Sequence, residues 1–200
     1  PAELDAARRG VDDPSVLYLA SGPGTVAAAA EMRSLLDAYR PDHIVCGGVA
    51  GSLRRRLPPG TSVVAEMCGF YERDAVAAGI PLGAVGPGSG AEYTLFGASA
   101  LAERSGLPTA AVATADTVLD AEGYEHLPER RRRRLDEFDL VDMESAAWVE
   151  IAAAFGVTPI VVRTVYDAVF PTEEGAGISL REATRRFGLA VARVVAVIET

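Results

Sequence analysis

Apolar residues along this chain fall into short runs more than into regular alternation. The runs at 16–20, 43–45, 61–67, 109–114, 139–141 and 159–165 read as strands. Ile160-Val161-Val162 has no polar position between its members, the pattern of a strand covered on both faces. Between these runs, helical spacing predicts helices over 26–39, 91–105, 143–155 and 180–198, the third ended by Gly156. Glycine and proline supply the punctuation. Ser21-Gly22-Pro23-Gly24-Thr25 turns the first run into a helix, the second run continues into Gly47-Gly48-Val49-Ala50-Gly51, and Pro58-Pro59-Gly60 leads into the third. The stretch 81–90, rich in both residues, reads as a surface loop.

Strand followed by helix, repeated, predicts an α/β fold: a three-layer α/β/α arrangement with a mixed, largely parallel central sheet. No internal repeat or linker divides the sequence, so one domain is expected over 1–200. In open α/β sheets ligands bind beyond the carboxyl ends of the strands, so residues just after the apolar runs are the ones to inspect.

Composition narrows the function. At 49% hydrophobic content, 200 residues suffice for one sizeable core. No apolar run approaches the roughly 20 residues that span a bilayer, and the first residues lack a signal-peptide core, so a cytoplasmic protein without a membrane partner is expected. A net charge of −9 disfavours nucleic acid. Two histidines and two cysteines leave little for a metal site, and neither metal nor cofactor is expected. Cys46 and Cys68 sit in apolar surroundings and read as reduced, buried thiols. The run Arg130 to Arg134 is flanked by acids and reads as a solvated helix face rather than a phosphate patch.

Two acids stand at the ends of two different strands, in Val141-Asp142-Met143-Glu144-Ser145-Ala146-Ala147 and in Val161-Val162-Arg163-Thr164-Val165-Tyr166-Asp167. With a Met-Glu pair opening a helix and a later strand carrying Arg and then Asp, the chain resembles the nucleoside phosphorylase and nucleosidase superfamily. The likeness continues in Ser21-Gly22-Pro23-Gly24 before an Ala-rich helix, in Pro41-Asp42, in Gly48-Val49-Ala50-Gly51-Ser52-Leu53 and in Ala113-Thr114-Ala115-Asp116, in order over nearly the whole chain.

The resemblance implies cleavage of the N-glycosidic bond of a purine nucleoside or a 5′-modified adenosine such as methylthioadenosine or S-adenosylhomocysteine. Such a reaction passes through an oxocarbenium-like sugar, so the ribose hydroxyls must be held and the departing base protonated. By resemblance, Glu144 accepts hydrogen bonds from those hydroxyls, Met143 packs on the sugar, and Asp167 delivers a proton to the base. Val118 and Leu119 match the segment facing the base, and Ala50 and Gly51 the close backbone approach near the sugar. Arg163 would orient a carboxylate, or form a structural ion pair. Relatives begin with a strand that delivers a water-activating acid, and Glu3 is the residue that would take its place; an exposed acid at a helix start is the plainer reading. Likewise Glu144 is an ordinary first-turn acid, Asp167 a loop former and Val118 and Leu119 core residues, if the resemblance is set aside.

In the hexameric phosphorylases an Arg precedes the glycine segment, where this chain has Cys46, and three consecutive side chains of Arg54-Arg55-Arg56 cannot converge on one site. Water as nucleophile is therefore expected, with a phosphate-dependent phosphorylase or a non-catalytic nucleoside-binding module as alternatives. A dinucleotide-binding oxidoreductase is disfavoured because Ala27 stands where a third glycine belongs. Tyr166 and Val49 depart from the family's small polar residues and bear on the preferred base or 5′ group. The resemblance to nucleosidases also implies a homodimer.

Overall fold

A computed structural model describes residues 2–84, 91–169 and 177–198. The chain opens with helix α1 (Ala2–Gly10), whose acids Glu3 and Asp5 lie in the first turn and Arg8 and Arg9 in the last, as the helix dipole favours. Only Ala6 and Ala7 of α1 are buried, so it has no apolar stripe for a sequence reading to find. Next come α2 (Thr25–Ala38), β1 (Val45–Ser52), β2 (Ser62–Phe70), a 3₁₀ turn (Val76–Ala78) and β3 (Glu92–Thr94). The chain continues through α3 (Ala98–Ser105), β4 (Thr109–Thr114), α4 (Ala121–His126), α5 (Glu129–Leu135), β5 (Leu140–Asp142), α6 (Ser145–Ala154), β6 (Ile160–Ala168) and α7 (Leu180–Ile198). No helix among the described residues is long and apolar enough to cross a membrane.

Two expected elements differ. Residues 16–20 form no strand: nothing pairs with their backbone along a ladder, and Leu17 and Leu19 remain exposed. An apolar run becomes a strand only when a neighbour takes its N–H and C=O groups. The helix expected over 91–105 is β3 followed by the shorter α3, because Glu92–Thr94 pairs antiparallel with β2 and Gly97, at φ 83°, resets the backbone before α3 begins. Of the expected loop 81–90, residues 81–84 turn through Gly83, and 85–90 lie outside the described residues.

The sheet is mixed, in the order β3-β2-β4-β5-β1-β6, and β2 also pairs with β6. That additional pairing, Ser62–Val64 against Val162–Thr164, closes β2, β4, β5, β1 and β6 into a ring. The expected α/β fold with a mixed sheet is present, but the sheet closes on itself, with β1–β6, β2–β4 and β4–β5 parallel and β1–β5, β2–β3 and β2–β6 antiparallel, so parallel pairs do not predominate. Closure is possible because β2 and β6 each run nine residues and have room for partners on both edges. A register shift between Ala50 and Gly51 breaks the β1–β6 ladder where β1 turns to meet β5. Both faces of the wall are covered: in β4, Ala110 and Val112 belong to the larger apolar cluster, whereas Ala111 and Ala113 belong to a second one with Tyr71, Leu135 and Phe138.

The arginine run is not uniformly solvated. Arg134 is 6% exposed, pairs with Glu92 and Glu137 and lies over the Phe138 ring. Arg130 and Arg131 pair with Asp74 and Glu72, and Arg132 and Arg133 with Glu129, so the run is neutralised by acids.

Helix α1 reaches the rest of the molecule through α7. A Cβ added at Gly188 would lie 2.4 Å from the carbonyl oxygen of Ala6, and one at Gly10 would lie 2.5 Å from that of Gly188. The two backbones touch where only glycine leaves room. Gly188→Val is therefore expected to push α1 off α7 and to lower stability by about 1–3 kcal/mol, as overpacking does; denaturant unfolding monitored by circular dichroism checks it, with an unchanged midpoint counting against the contact.

Candidate functional site

Residues 45–51 of β1, Val141 and Asp142 of β5 and Arg163, Tyr166 and Asp167 of β6 line a cavity of about 1140 Å³, bordered also by α1, by 21–23 and by 117–119. Glu3, Ala50, Gly51, Val118, Leu119, Met143, Glu144, Arg163 and Asp167 all line it. Residues far apart in the sequence are brought together because β5 and β6 pair with opposite edges of β1.

Arg163 is the buried centre of this wall. Its side chain is 2% exposed, and a guanidinium so deeply placed must have every donor engaged. Nε donates to Ser145 Oγ at 3.0 Å and Nη1 to the carbonyl oxygen of Val49 at 3.2 Å. Nη2 contacts Asp142 Oδ2 at 2.7 Å and Glu144 Oε2 at 3.1 Å. The Trp148 ring covers the guanidinium at 4.9 Å from its centroid. Burial alone would lower the pKa of Arg163, but the charges of Asp142 and Glu144 outweigh it and raise the value.

Glu144 is therefore no ordinary first-turn acid. It stands at the N-cap of α6 but leaves the helix N–H groups alone. Oε2 faces Arg163, and Oε1 accepts the Gly24 N–H at 3.2 Å, across from the start of α2. That loop is fixed in turn by Asp116, which accepts both the N–H and the hydroxyl of Thr25 at 2.6 Å.

Asp167 lies one residue before the end of β6, opposite Gly51 of β1, and is half-buried. Burial raises its pKa above the ordinary carboxylate value; a hydrogen bond with its own backbone opposes the shift, and the charge of Asp120 adds to it. A carboxyl group in this condition retains its proton to higher pH, which suits a proton donor. Glu3, half-buried on α1, comes to the same wall: a Cβ at Gly48 would lie 3.0 Å from Arg163 Nη1 and 3.9 Å from Glu3 Cγ.

The glycines of β1 make room for the site's own side chains. At Gly48 the neighbour is Arg163, and at Gly51 a Cβ would sit 3.1 Å from Asp167 Oδ1 and 3.2 Å from Val141 Cγ2. Ala50 is buried, Met143 half-buried and Leu119 packed into the second apolar cluster, whereas Val118 is 77% exposed at the cavity's margin. Cys46 also lines the cavity, and burial pushes its thiol up to about 12, so it stays neutral. Arg54 and Arg56 turn elsewhere, to the carbonyl oxygen of Asp136 and to the Asp139 carboxylate. Among the described residues no group of His, Cys, Asp and Glu is placed to hold a metal ion.

The sequence reading missed Asp142, 1% exposed in its side chain. Besides meeting Arg163, its Oδ1 accepts the Thr114 hydroxyl at 2.6 Å and the N–H groups of Glu144 and Ser145 at 3.3 Å. An acid ending the apolar run Leu140-Val141, two residues before Glu144, was the available signal.

Comparison with known proteins adds an independent line. A family model described as the phosphorylase superfamily matches residues 6–199. A 5′-methylthioadenosine/S-adenosylhomocysteine nucleosidase of Geobacillus kaustophilus (strain HTA426) is 30% identical over 181 residues, covering 86% of this chain and 74% of that protein. The nucleosidase of the same description from Neisseria meningitidis, solved with methylthio-immucillin-A, superposes with a TM-score of 0.82 at 20% identity, covering 98% of this chain and 95% of its own. Futalosine hydrolase of Helicobacter pylori strain 26695 superposes with a TM-score of 0.70 at 23% identity, covering 90% and 78%. The last two likenesses concern the fold.

Asp167 carries a testable cost. A carboxyl whose pKa is raised by folding is more stably folded when protonated, so its contribution is most favourable below the unfolded value near ~3.9 and is lost as pH rises through the folded value. Asp167→Asn is expected to leave thermal stability equal or higher above that range, with the advantage vanishing in acid. Calorimetry across pH checks this, and a variant less stable at neutral pH would contradict the burial argument.

Proposed function

Because the chain belongs to the phosphorylase superfamily, we propose that it hydrolyses the N-glycosidic bond of a purine nucleoside or a 5′-modified adenosine such as methylthioadenosine or S-adenosylhomocysteine. The observation that carries this reading is the meeting, in one cavity, of Glu3, Glu144 and Asp167 with Arg163 behind them. The nucleosidase similarity at 30% identity over most of the chain supports the choice of substrate class.

Asp167, whose pKa burial raises, gives a proton to purine N7 as the bond between C1′ and N9 breaks and its electron pair passes to the base. Glu144, pinned by Gly24 and Arg163, accepts the ribose hydroxyls, while Met143 packs on the sugar. Water then adds to the oxocarbenium carbon and yields its proton to Glu3. Val118 and Leu119 face the base, and Ala50 and Gly51 let the backbone approach the sugar. Water is preferred to phosphate because Cys46 is neutral and Arg54 and Arg56 turn away from the cavity. The reading further includes a single domain over 1–200 and a cytoplasmic homodimer. Leu17, Leu19, Val118 and Tyr166 line the cavity yet stay exposed, and such an apolar rim suits burial against a second copy.

Chromatography of free base from adenosine, inosine, methylthioadenosine and S-adenosylhomocysteine, with and without phosphate, tests the reaction. Release without phosphate is expected; strict phosphate dependence would make the protein a phosphorylase, and tight binding without release a nucleoside-binding module. On a substrate that reacts, Asp167→Asn is expected to lower kcat by about 10²–10⁴-fold with little change in binding, since the amide supplies no proton. Glu144→Gln is expected to impair ribosides more than 2′-deoxyribosides, and equal losses would remove the hydroxyl contact.

A further inference from the structure

Arg163 stands between two carboxylates of different status. Both line the cavity, but the Glu144 side chain is 15% exposed and that of Asp142 only 1%. The more buried acid also makes the shorter contact with the guanidinium, 2.7 Å against 3.1 Å. One cation and two anions leave a single negative charge in the cluster. Because Asp142 takes the closer share of the cation, that charge is left on Glu144, at the cavity wall.

We infer that Asp142 is a positioning residue that keeps Glu144 free to accept hydrogen bonds from the ligand; this rests on the reading of Glu144 as the ribose anchor. Without Asp142, the guanidinium and Glu144 would form a neutral pair. An arginine facing one carboxylate favours two parallel hydrogen bonds, which would turn both oxygens of Glu144 away from the cavity. Asp142 also acts through the backbone. Its Oδ1 accepts the Glu144 N–H and the Ser145 N–H, fixing the point from which the Glu144 side chain departs. The Thr114 hydroxyl, which itself accepts the Ala146 N–H at 3.0 Å, holds that oxygen in place. A cap serving only α6 would need neither the contact with Arg163 nor a full charge, because a neutral side-chain oxygen caps a helix as well.

Isothermal titration of the full chain with adenosine and with 2′-deoxyadenosine separates the two roles. The parent is expected to prefer adenosine. Asp142→Asn keeps the shape and the capping oxygen but removes the charge, and is expected to shrink that preference by about fivefold, the scale of one ordinary hydrogen bond. Asp142→Glu, which retains the charge, is expected to keep most of the preference. A folded Asp142→Asn protein with the parental preference, or with equal losses for both nucleosides, would overturn the inference. If Asp142→Asn fails to fold, Thr114→Val, which removes one of the partners of Oδ1 and leaves both charges, is expected to reduce the preference by about twofold, and no change would be equally fatal. A parent without any preference overturns the reading of Glu144 and this inference with it, and is seen before any variant is made.

Discussion

A guanidinium at 2% exposure is the constraint around which this molecule is arranged. It requires carboxylates nearby, an acceptor on each nitrogen and a wall that keeps water out. Those demands are met by Asp142 and Glu144 from the β5–α6 junction, Ser145 from the first position of α6, the Val49 carbonyl from β1 and the Trp148 ring. Three elements therefore share one electrostatic centre, and displacing any of them strands a charge. Four of the residues that satisfy the arginine, Val49, Asp142, Glu144 and Trp148, line the cavity, so the interaction that stabilises the wall also shapes the site.

Closure of the sheet gives that centre its rigidity. Arg163 lies on β6 in the segment that pairs on one edge with Gly48 of β1 and on the other with Val63 of β2. Held from both edges, β6 cannot slip without breaking two ladders, and a slip of one residue would turn Arg163 out of the wall. The same register places Asp167 beside Gly51. In a flat sheet, β6 would be an edge strand held from one side.

Much of this was legible in the sequence, and the remainder was hidden for physical reasons. Strand β4 and helix α7 were recovered at their observed bounds, because an uninterrupted apolar run and a long amphipathic stretch are local signals. The ring was not, because nothing in 61–67 or 159–165 announces that each will pair on a second edge. Residues 16–20 misled because hydrophobicity reports burial more directly than hydrogen bonding, and here the run lines a cavity instead of joining a ladder. At the site, Glu144 and Asp167 stood out by their places after apolar runs. Asp142 also follows an apolar run, but what it does is recognisable only once Arg163 and Thr114 are seen beside it. The glycines of β1 were read as room for a ligand's approach; that they also make room for Arg163 and Asp167 shows only once those side chains are seen beside them.

The glycine contact between α1 and α7 has a kinetic meaning. Helix α1 buries only two alanines and is nine residues long, too short to persist alone in water. Its folded state is borrowed from α7, so it can detach at a free energy below that of global unfolding while the ring stays closed. Glu3 rides on it. Amide exchange in α1 would then run ahead of global unfolding, and each such opening would withdraw one carboxylate from the cavity while Glu144 and Asp167 stay in place on the ring.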